Sequence, residues 1–220
     1  MLYALFDSQG QLTFTDVLIM LAAYAALVFV MLPVHELAHA WAATLLGDNT
    51  PRWHGRLVFN PMRHIDPMGA ILLVLCGFGY AKPVPVNPRN FRNPKRDMAL
   101  TSLAGPLSNI LMAFVSLALF RIVVMLPVSG TTIRIARLVL VETFTLINLS
   151  LAVFNLLPLP PLDGFRVLSA VLPSRWVFML EQYHVYLRWA VLLLIVTDVL
   201  DVPIARLVGG LFKFMVNILF

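Results

Sequence analysis

The sequence predicts an all-α polytopic membrane protein with about five to six transmembrane helices, and three observations support that prediction. Hydrophobic residues make up 60% of the 220 positions and charged residues only 12%, whereas about 25% of a soluble domain is charged. The apolar runs are nearly continuous, and the polar links between them are too short to form a second core. The basic residues lie beside apolar segments, as in membrane loops. We therefore expect a single integral-membrane domain over residues 1–220.

Four apolar stretches are long enough to cross a bilayer, which takes about 20 residues of helix. They are residues 15–46, 97–127, 132–157 and 184–219. The last stretch could hold two helices with a break near Asp201-Val202-Pro203, because proline lacks the N–H that continues a helix. The sequence leaves open whether 184–219 is one helix or two.

A shorter apolar segment, residues 67–80, has only 14 residues and closes with two glycines. Runs of that length are more often re-entrant than spanning. The Pro-rich stretch that follows, "KPVPVNP", cannot be helical. We therefore expect a re-entrant segment with a short β segment around residues 67–96.

Charge predicts the orientation. Residues 1–16 carry no Lys or Arg, so we expect no cleavable signal and an external N-terminus. The links at 47–66 and 81–96 are both basic, which places both on the cytoplasmic side and agrees with a re-entrant 67–80; their basic residues are Arg52, Arg56, Arg63, Lys82, Arg89, Arg92, Lys95 and Arg96. The net charge of +5 then reflects membrane loops, and no nucleic-acid partner is expected.

The first apolar stretch contains His35-Glu36-Leu37-Ala38-His39, an H-E-x-x-H pattern. Positions i and i+4 of a helix face the same way, so two imidazoles can converge on one Zn²⁺, with Glu36 placed as general base. Polar residues satisfied by neighbouring helices, or a chance match, are the plain alternatives. Ionisable groups inside a membrane are rare and usually functional, which favours the metal site.

A catalytic zinc commonly has three protein ligands, and the single cysteine, Cys76, excludes a Cys-based cluster. Asp163 stands out among the acidic and histidine candidates because it follows prolines at a helix end, although Asp is also a common helix cap. An even number of crossings, 97–127 and 132–157, would bring Asp163 to the face of His35 and His39. The other candidates are His184, Glu142, Glu181 and Asp198.

At this point the chain resembles the site-2 proteases, a family of intramembrane zinc metalloproteases. The resemblance rests on "HELAHA" at 35–40, on "NLLPLPPLDG" at 155–164, similar to that family's N-x-x-P-x-x-P-x-D-G element, and on residues 78–110, similar to the compact bacterial members. It implies His35, His39 and Asp163 as zinc ligands, Glu36 as catalytic base, and Asn155 as a group that holds the substrate carbonyl or its oxyanion.

The resemblance also implies a zinc-dependent endopeptidase that cleaves transmembrane or membrane-proximal segments of protein substrates. The expected location is a bacterial inner (plasma) membrane, with the active site toward the cytoplasm, a catalytic core at about 15–172 and C-terminal helices at about 184–219. No segment is long or polar enough for a PDZ domain, so substrate selection falls to the membrane core or a regulatory partner. A transporter or a non-proteolytic metal-binding membrane protein is the competing function.

Substrate binding is expected at the Pro-rich stretch, whose free edge could pair with an unwound substrate by β-augmentation; an ordinary membrane-surface loop is the alternative. The residues are Lys82, Pro83, Val84, Pro85, Val86 and Asn87. For Asn109, hydrogen bonding between helices is expected. His54 and His64 are assigned no metal role.

Overall fold

The computed structural model describes residues 18, 21–22, 25–69 and 81–220. The chain is helical in these parts, as predicted. The helices are α1 Leu27–Leu45, α2 Thr50–Trp53, α3 Pro61–His64, α4 Pro94–Met125, α5 Gly130–Asn155, α6 Asp163–Val171, α7 Ser174–Gln182, α8 His184–Val196 and α9 Asp201–Leu219. A single 3₁₀ turn, Pro88–Asn90, precedes α4.

Four of these helices, α1, α4, α5 and α9, are long and apolar enough to cross a membrane. They correspond to the four predicted stretches. The predicted start of the first stretch, residues 15–17, lies outside the described residues. The stretch 184–219 contains two helices, α8 and α9, separated by a turn in which Asp198 has φ 56°. Pro203 lies in the first turn of α9, where the missing N–H costs no helical hydrogen bond.

The central element is α4, which contacts α1, α5, α6 and α9. One apolar cluster joins the far half of α4 to α5 and α9; its buried members are Ala113, Leu117, Val141, Leu149, Val153, Val208 and Met215. A second cluster surrounds Leu27, Val28 and Met31 of α1, against which Met112 of α4 and Phe144 of α5 pack. The helices α1, α4 and α5 therefore meet in this second cluster.

Two of the helices are locally π-helical, at Leu27–Met31 in α1 and at Arg137–Thr145 in α5. Pro33 follows the first of these segments and lacks the N–H for a regular helical bond. Helical irregularities of this kind often stand beside functional residues. In this chain they directly precede His35 and Asn148.

The short β segment expected around residues 67–96 is not found in the described part of this region. The described residues of this region, 67–69 and 81–96, form no strand, and their one pairing is an isolated antiparallel bridge between Ile65 and Ala81. Pro83 and Pro85 cannot donate to a ladder, so regular pairing is blocked along one edge of the stretch, and Pro88 begins the 3₁₀ turn. The expected re-entrant segment falls largely on residues 70–80, outside the described residues.

The segment that follows Ala81 is fastened to the end of α1 by Asp48, whose exposure is 0%. Gly47, at φ 110°, ends the helix and turns the chain there. The Asp48 carboxylate accepts hydrogen bonds from the Asn87 backbone N–H at 2.7 Å and from Asn90 Nδ2 at 2.6 Å, as well as from Thr50. The fold thus replaces the expected β pairing with a buried carboxylate.

Arg56 makes a second attachment from the opposite direction. Its buried guanidinium donates to the backbone carbonyls of Arg63, Lys82 and Pro83. Lys82 N–H also donates to the His64 carbonyl at 2.8 Å. The Pro-rich stretch is therefore held at both ends without belonging to a sheet.

We predict that Asp48→Ala loosens the segment 84–91 locally. Charge-assisted hydrogen bonds are worth about 1.5–3 kcal/mol each, so a loss of about 2 kcal/mol should speed amide exchange at Asn87 by roughly 30-fold. Hydrogen–deuterium exchange on the protein in detergent measures this. Asp66→Ala, which removes a carboxylate that accepts from the Gly69 N–H, is the matched control and should leave Asn87 unchanged; equal exchange in both variants would contradict the attachment.

The same attachment has a defined pH dependence. Burial raises the pKa of Asp48, but hydrogen bonds from Thr50, Asn90 and Asn87 outweigh burial and lower it below its ordinary value. A carboxyl with a lowered pKa in the folded state stabilises it above the unfolded pKa of about 3.9 and loses that contribution as the pH falls through the folded pKa. Exchange at Asn87, corrected for its intrinsic rate, should be constant between about pH 5 and 8 and should increase only below about pH 4.

Candidate metal centre

His35 and His39 lie one helical turn apart on the buried face of α1, which packs against α4. Their Nε2 atoms are 3.0 Å apart. Asp163, the first residue of α6, brings its Oδ2 to 3.2 Å from each of these nitrogens. The structure therefore brings together the three residues that the sequence singled out as ligands.

Each imidazole is oriented by its other ring nitrogen. His39 Nδ1 is 2.8 Å from the backbone carbonyl oxygen of Thr101, and His35 Nδ1 is 2.5 Å from Asn109 Oδ1. A carbonyl oxygen only accepts, so His39 Nδ1 carries the proton and its Nε2 presents a lone pair when the ring is neutral. Histidines that bind a metal are typically oriented in this way, because the ring nitrogen that does not bind the metal donates to an oxygen atom.

The donor set and its spacing fit a zinc ion. Zinc bonds of about 2.0–2.1 Å in a tetrahedron separate neighbouring ligand atoms by roughly 3.3 Å, close to the separations of 3.0 and 3.2 Å among the three atoms. Burial raises the pKa of the Asp163 carboxyl, but the His35 and His39 rings outweigh burial and hold that pKa below its ordinary value. The carboxyl is therefore ionised, as metal binding requires.

Space for this centre is made by Gly105 on α4. A Cβ at this position would lie 2.6 Å from His35 Nε2 and closer still to His39 Nε2. Real Cβ atoms essentially never approach so closely, so any side chain here would push the two rings apart. Gly105, which has no side chain, therefore leaves the space that the two imidazole rings occupy.

Asp163 reaches the histidines because α6 begins directly against the end of α5. Gly164 is buried beside the backbone of Leu156 and Leu157, and a Cβ there would meet the Leu157 carbonyl oxygen at 2.5 Å. The connection contains the cis peptide bond Pro160–Pro161. Because the chain turns sharply between α5 and α6, the Asp163 carboxylate faces His35 and His39 near the end of α1.

The other predicted site residues are Glu36, Asn155 and the stretch Lys82–Asn87. Glu36 is partly buried next to His35 and is within electrostatic reach of Arg56. Asn155 ends α5, and its Nδ2 donates to the Leu151 carbonyl at 3.0 Å. Among Lys82–Asn87, only Val84 is buried. The Glu36 carboxylate interacts electrostatically with His39, whereas within the described parts of the chain no hydrogen bond or ion pair joins Asn155 or Lys82–Asn87 to the three ligand atoms.

The remaining ligand candidates are placed elsewhere. Glu142 pairs with Arg137 at 3.3 Å on α5, and Asp198 is exposed in the turn before α9. Glu181 is exposed on α7. His184 begins α8. Within the described chain, the group able to hold a metal ion is His35, His39 and Asp163.

Sequence reasoning missed three contributors: the Thr101 carbonyl, Gly105 as a space for the imidazoles, and Asn148, whose Oδ1 accepts from Asn109 Nδ2 at 2.8 Å. Asn109 was expected to bond between helices, which it does, but it also contacts His35. A polar amide in an apolar helix was the available signal for Asn148. No sequence signal identifies a backbone carbonyl.

We predict that Gly105→Ala disrupts the centre without unfolding the helix. Alanine favours a helix interior by about 1 kcal/mol over glycine, but its Cβ must displace the rings of His35 and His39. The zinc content of purified protein, measured by atomic emission, should fall at least about 10-fold, as expected for disturbed ligand orientation. Gly209→Ala in α9, where no atom lies within 4 Å of the added Cβ, is the control; full zinc content in both variants would refute the steric argument.

Comparison with known proteins finds similarity to one peptidase family. The model of the family "Peptidase family M50" matches residues 121–196, a range that contains Asn155 and Asp163. "Putative zinc metalloprotease YwhC" of Bacillus subtilis (strain 168) is 44% identical over 144 residues, which cover 64% of this chain and 64% of that protein. No solved structure matches the chain.

More distant relatives carry similar names. "Putative zinc metalloprotease Rip2" of Mycobacterium tuberculosis (strain H37Rv) is 32% identical over 146 residues, 64% of this chain and 53% of that protein. "Putative zinc metalloprotease MJ0611" of Methanocaldococcus jannaschii is 32% identical over 139 residues, 61% of this chain and 63% of that protein. The alignments thus span less than two thirds of each relative's length. Together with the paired motifs at 35–40 and 155–164, these matches show that the chain is similar to peptidase family M50, the site-2 proteases.

Proposed function

We propose that this protein is a zinc-dependent intramembrane endopeptidase that hydrolyses peptide bonds in transmembrane or membrane-proximal segments of protein substrates. One observation carries the proposal: His35 Nε2, His39 Nε2 and Asp163 Oδ2 converge to within 3.2 Å, with Glu36 beside them, on a helix apolar enough to cross a membrane. A zinc ion held by these residues supplies Lewis-acid activation of water and of the scissile carbonyl.

Glu36 is the proposed general base. It follows His35 on α1 and is only partly buried, so its carboxylate can meet a water molecule that enters the cleft. The carboxylate takes the proton of the attacking water and passes it to the leaving amine, which returns Glu36 to its starting charge. Among the acidic side chains of the described chain, only Asp163 joins His35 and His39 in the group that could hold a metal ion.

Asn155 is the proposed donor to the oxyanion. It stands eight positions before Asp163, at the end of α5, where the chain turns toward the centre. Its Nδ2 is bonded to the Leu151 carbonyl, so donation to substrate requires that this bond be exchanged for one to the developing oxyanion. Such an interaction strengthens in the transition state, as efficient catalysis requires.

Lys82–Asn87 is the proposed substrate-binding stretch. A helical substrate hides its peptide bonds in its own hydrogen bonds and must unwind before cleavage, so an extended partner with free backbone groups is useful. Arg56 and Asp48 hold the two ends of the stretch through Lys82, Pro83 and Asn87. Val84 and Val86 lie between these attachments, and their N–H groups are not blocked by a proline ring. Arg56 and Asp48 therefore support the stretch at its ends, and the backbone N–H groups of Val84 and Val86 between them remain available to pair with a substrate.

The membrane arrangement follows from the same charges. We place the protein in a bacterial inner (plasma) membrane with the metal centre toward the cytoplasm, as one domain of five to six spans with a re-entrant segment near 67–80. The basic residues of 47–66 and 81–96 support this orientation through the positive-inside rule. We propose transmembrane proteins as the substrates and a regulatory partner that selects among them.

A transporter is not favoured. Its ionisable groups should follow a path through the membrane thickness, whereas the described His and acidic ligand group is confined to one place, where α1, α4 and α6 meet.

We predict that Glu36→Gln abolishes cleavage and keeps the metal. Loss of general acid–base catalysis should lower the cleavage rate by a factor of roughly 10²–10⁴, while zinc content stays at the wild-type level because Glu36 is not a ligand. Membranes from cells lacking the protein, supplied with either variant, can be compared by mass spectrometry of new N-termini within transmembrane segments. Glu142→Gln serves as control, since that carboxylate pairs with Arg137 away from the centre. Undiminished cleavage by Glu36→Gln would overturn the proposal.

We predict opposite labelling on the two ends of α4. In a Cys76→Ser background, cysteines at the exposed positions Arg92 and Thr131 lie before and after this single crossing. A membrane-impermeant maleimide added to spheroplasts should label Thr131→Cys and spare Arg92→Cys, with the pattern reversed in inverted vesicles. The reverse pattern in spheroplasts would contradict the cytoplasmic orientation, and equal labelling would contradict the crossing.

A further inference from the structure

Two fully buried asparagines link the metal centre to α5. Asn109 on α4 and Asn148 on α5 each have an exposure of 0%. Asn109 Oδ1 lies 2.5 Å from His35 Nδ1, Asn109 Nδ2 donates to Asn148 Oδ1 at 2.8 Å, and Asn148 Nδ2 donates to the Phe144 carbonyl at 2.8 Å. Buried amides without hydrogen-bond partners would be costly in an apolar bundle. These two amides are joined in one chain of hydrogen bonds that runs from His35 to the Phe144 carbonyl.

The direction of every hydrogen bond in this line is set by its far end. The Phe144 carbonyl only accepts, so Asn148 must turn its Nδ2 toward it and its Oδ1 toward Asn109. Asn109 must then present Nδ2 to Asn148 and Oδ1 to His35. An oxygen acceptor at His35 Nδ1 requires that this nitrogen carry the proton. In the neutral ring the remaining nitrogen, Nε2, then carries a lone pair, and this nitrogen lies 3.0 Å from His39 Nε2 and 3.2 Å from Asp163 Oδ2.

We propose that Asn109 and Asn148 are positioning residues that fix His35 as the Nδ1–H tautomer and hold its Nε2 ready for the metal. The inference rests on the proposed metal centre and adds to it two residues that are not ligands themselves. The two histidines are oriented by different means, because His39 depends on the Thr101 backbone whereas His35 depends on side chains. Side chains can be replaced, so the role of the asparagine pair can be tested.

A neutral amide suits this position better than the carboxylate that often orients a metal-bound histidine. The centre already contains the Asp163 carboxylate, and Glu36 adds a second negative charge nearby. A further carboxylate at membrane depth would be costly. An amide accepts a hydrogen bond from His35 without adding charge. Its oxygen and NH₂ group could exchange places by rotation, so Asn148 is needed to orient it.

A packing role alone makes a different prediction. Ser116 of α4 also bonds across to α5, donating to the Leu140 carbonyl at 2.7 Å, with no contact to either histidine. If the asparagines only join the helices, their removal should resemble Ser116→Ala: a lower melting temperature of the metal-free protein with unchanged metal affinity. If they position His35, metal affinity itself should fall.

The experiment measures zinc affinity by chelator competition on purified, metal-stripped full-length protein in detergent. Asn109→Leu keeps the approximate volume but removes the acceptor, and Asn148→Leu removes the group that orients Asn109. Both should raise the zinc Kd by about 10–100-fold, and Ser116→Ala should change it by less than about 3-fold. Asn109→Asp, which retains an acceptor, should bind zinc more tightly than Asn109→Leu. Leucine variants that fold and bind zinc as wild type does would overturn the proposal.

A second measurement requires no folded variant of either asparagine. In ¹⁵N-histidine-labelled metal-free protein, the His35 resonances, assigned by their loss in His35→Gln, should show a protonated Nδ1 at pH 8, because Nδ1 faces the Asn109 oxygen. An unprotonated Nδ1 would overturn the inference. Because it is recorded without metal, this result is independent of the proposed function, whereas wild-type protein that bound no zinc would refute the proposed centre and leave the tautomer result standing.

Discussion

The approach of three acceptor atoms, His35 Nε2, His39 Nε2 and Asp163 Oδ2, to within 3.2 Å of one another is the constraint on which the arrangement depends. Lone pairs at this distance repel unless a cation or a proton lies between them. A zinc ion held by the three residues would be that cation. The second ring nitrogens of His35 and His39 are each held by a contact with α4.

Each neighbouring element contributes to that fixation. The helix α4 supplies an acceptor for each ring, through Thr101 and Asn109, and leaves a gap at Gly105 that the rings occupy. The end of α5 and the start of α6 meet at Gly164, which brings Asp163 across. The packing of α1 on α4 and of α4 on α5 and α6 thus serves the chemistry as well as stability. A change of packing at α4 would be felt at all three ligands together.

Much of the centre could be predicted from the sequence because its residues carry local signals. H-E-x-x-H places two imidazoles on one helical face, and Asp163 was inferred from an even count of crossings between the two motifs. The helices α4 and α5 supply the two crossings of suitable length and composition. The supporting contacts were less accessible, since a backbone carbonyl such as that of Thr101 has no sequence signature. The β segment was wrong for the described residues because Pro83 and Pro85, which exclude a helix, also remove the donors along one edge of the stretch, and Asp48 holds the stretch instead.

The most direct test of the account is X-ray absorption at the zinc edge for wild-type protein and for Asp163→Cys. We expect wild-type zinc to have only nitrogen and oxygen neighbours at about 2.0–2.2 Å, with the outer scattering of two imidazoles. The variant should show one sulfur neighbour at about 2.3 Å, and Cys76, present in both proteins, should contribute none. Zinc bound by the variant with no sulfur neighbour, or wild-type zinc with sulfur, would contradict the claim that residues 35, 39 and 163 hold one metal ion.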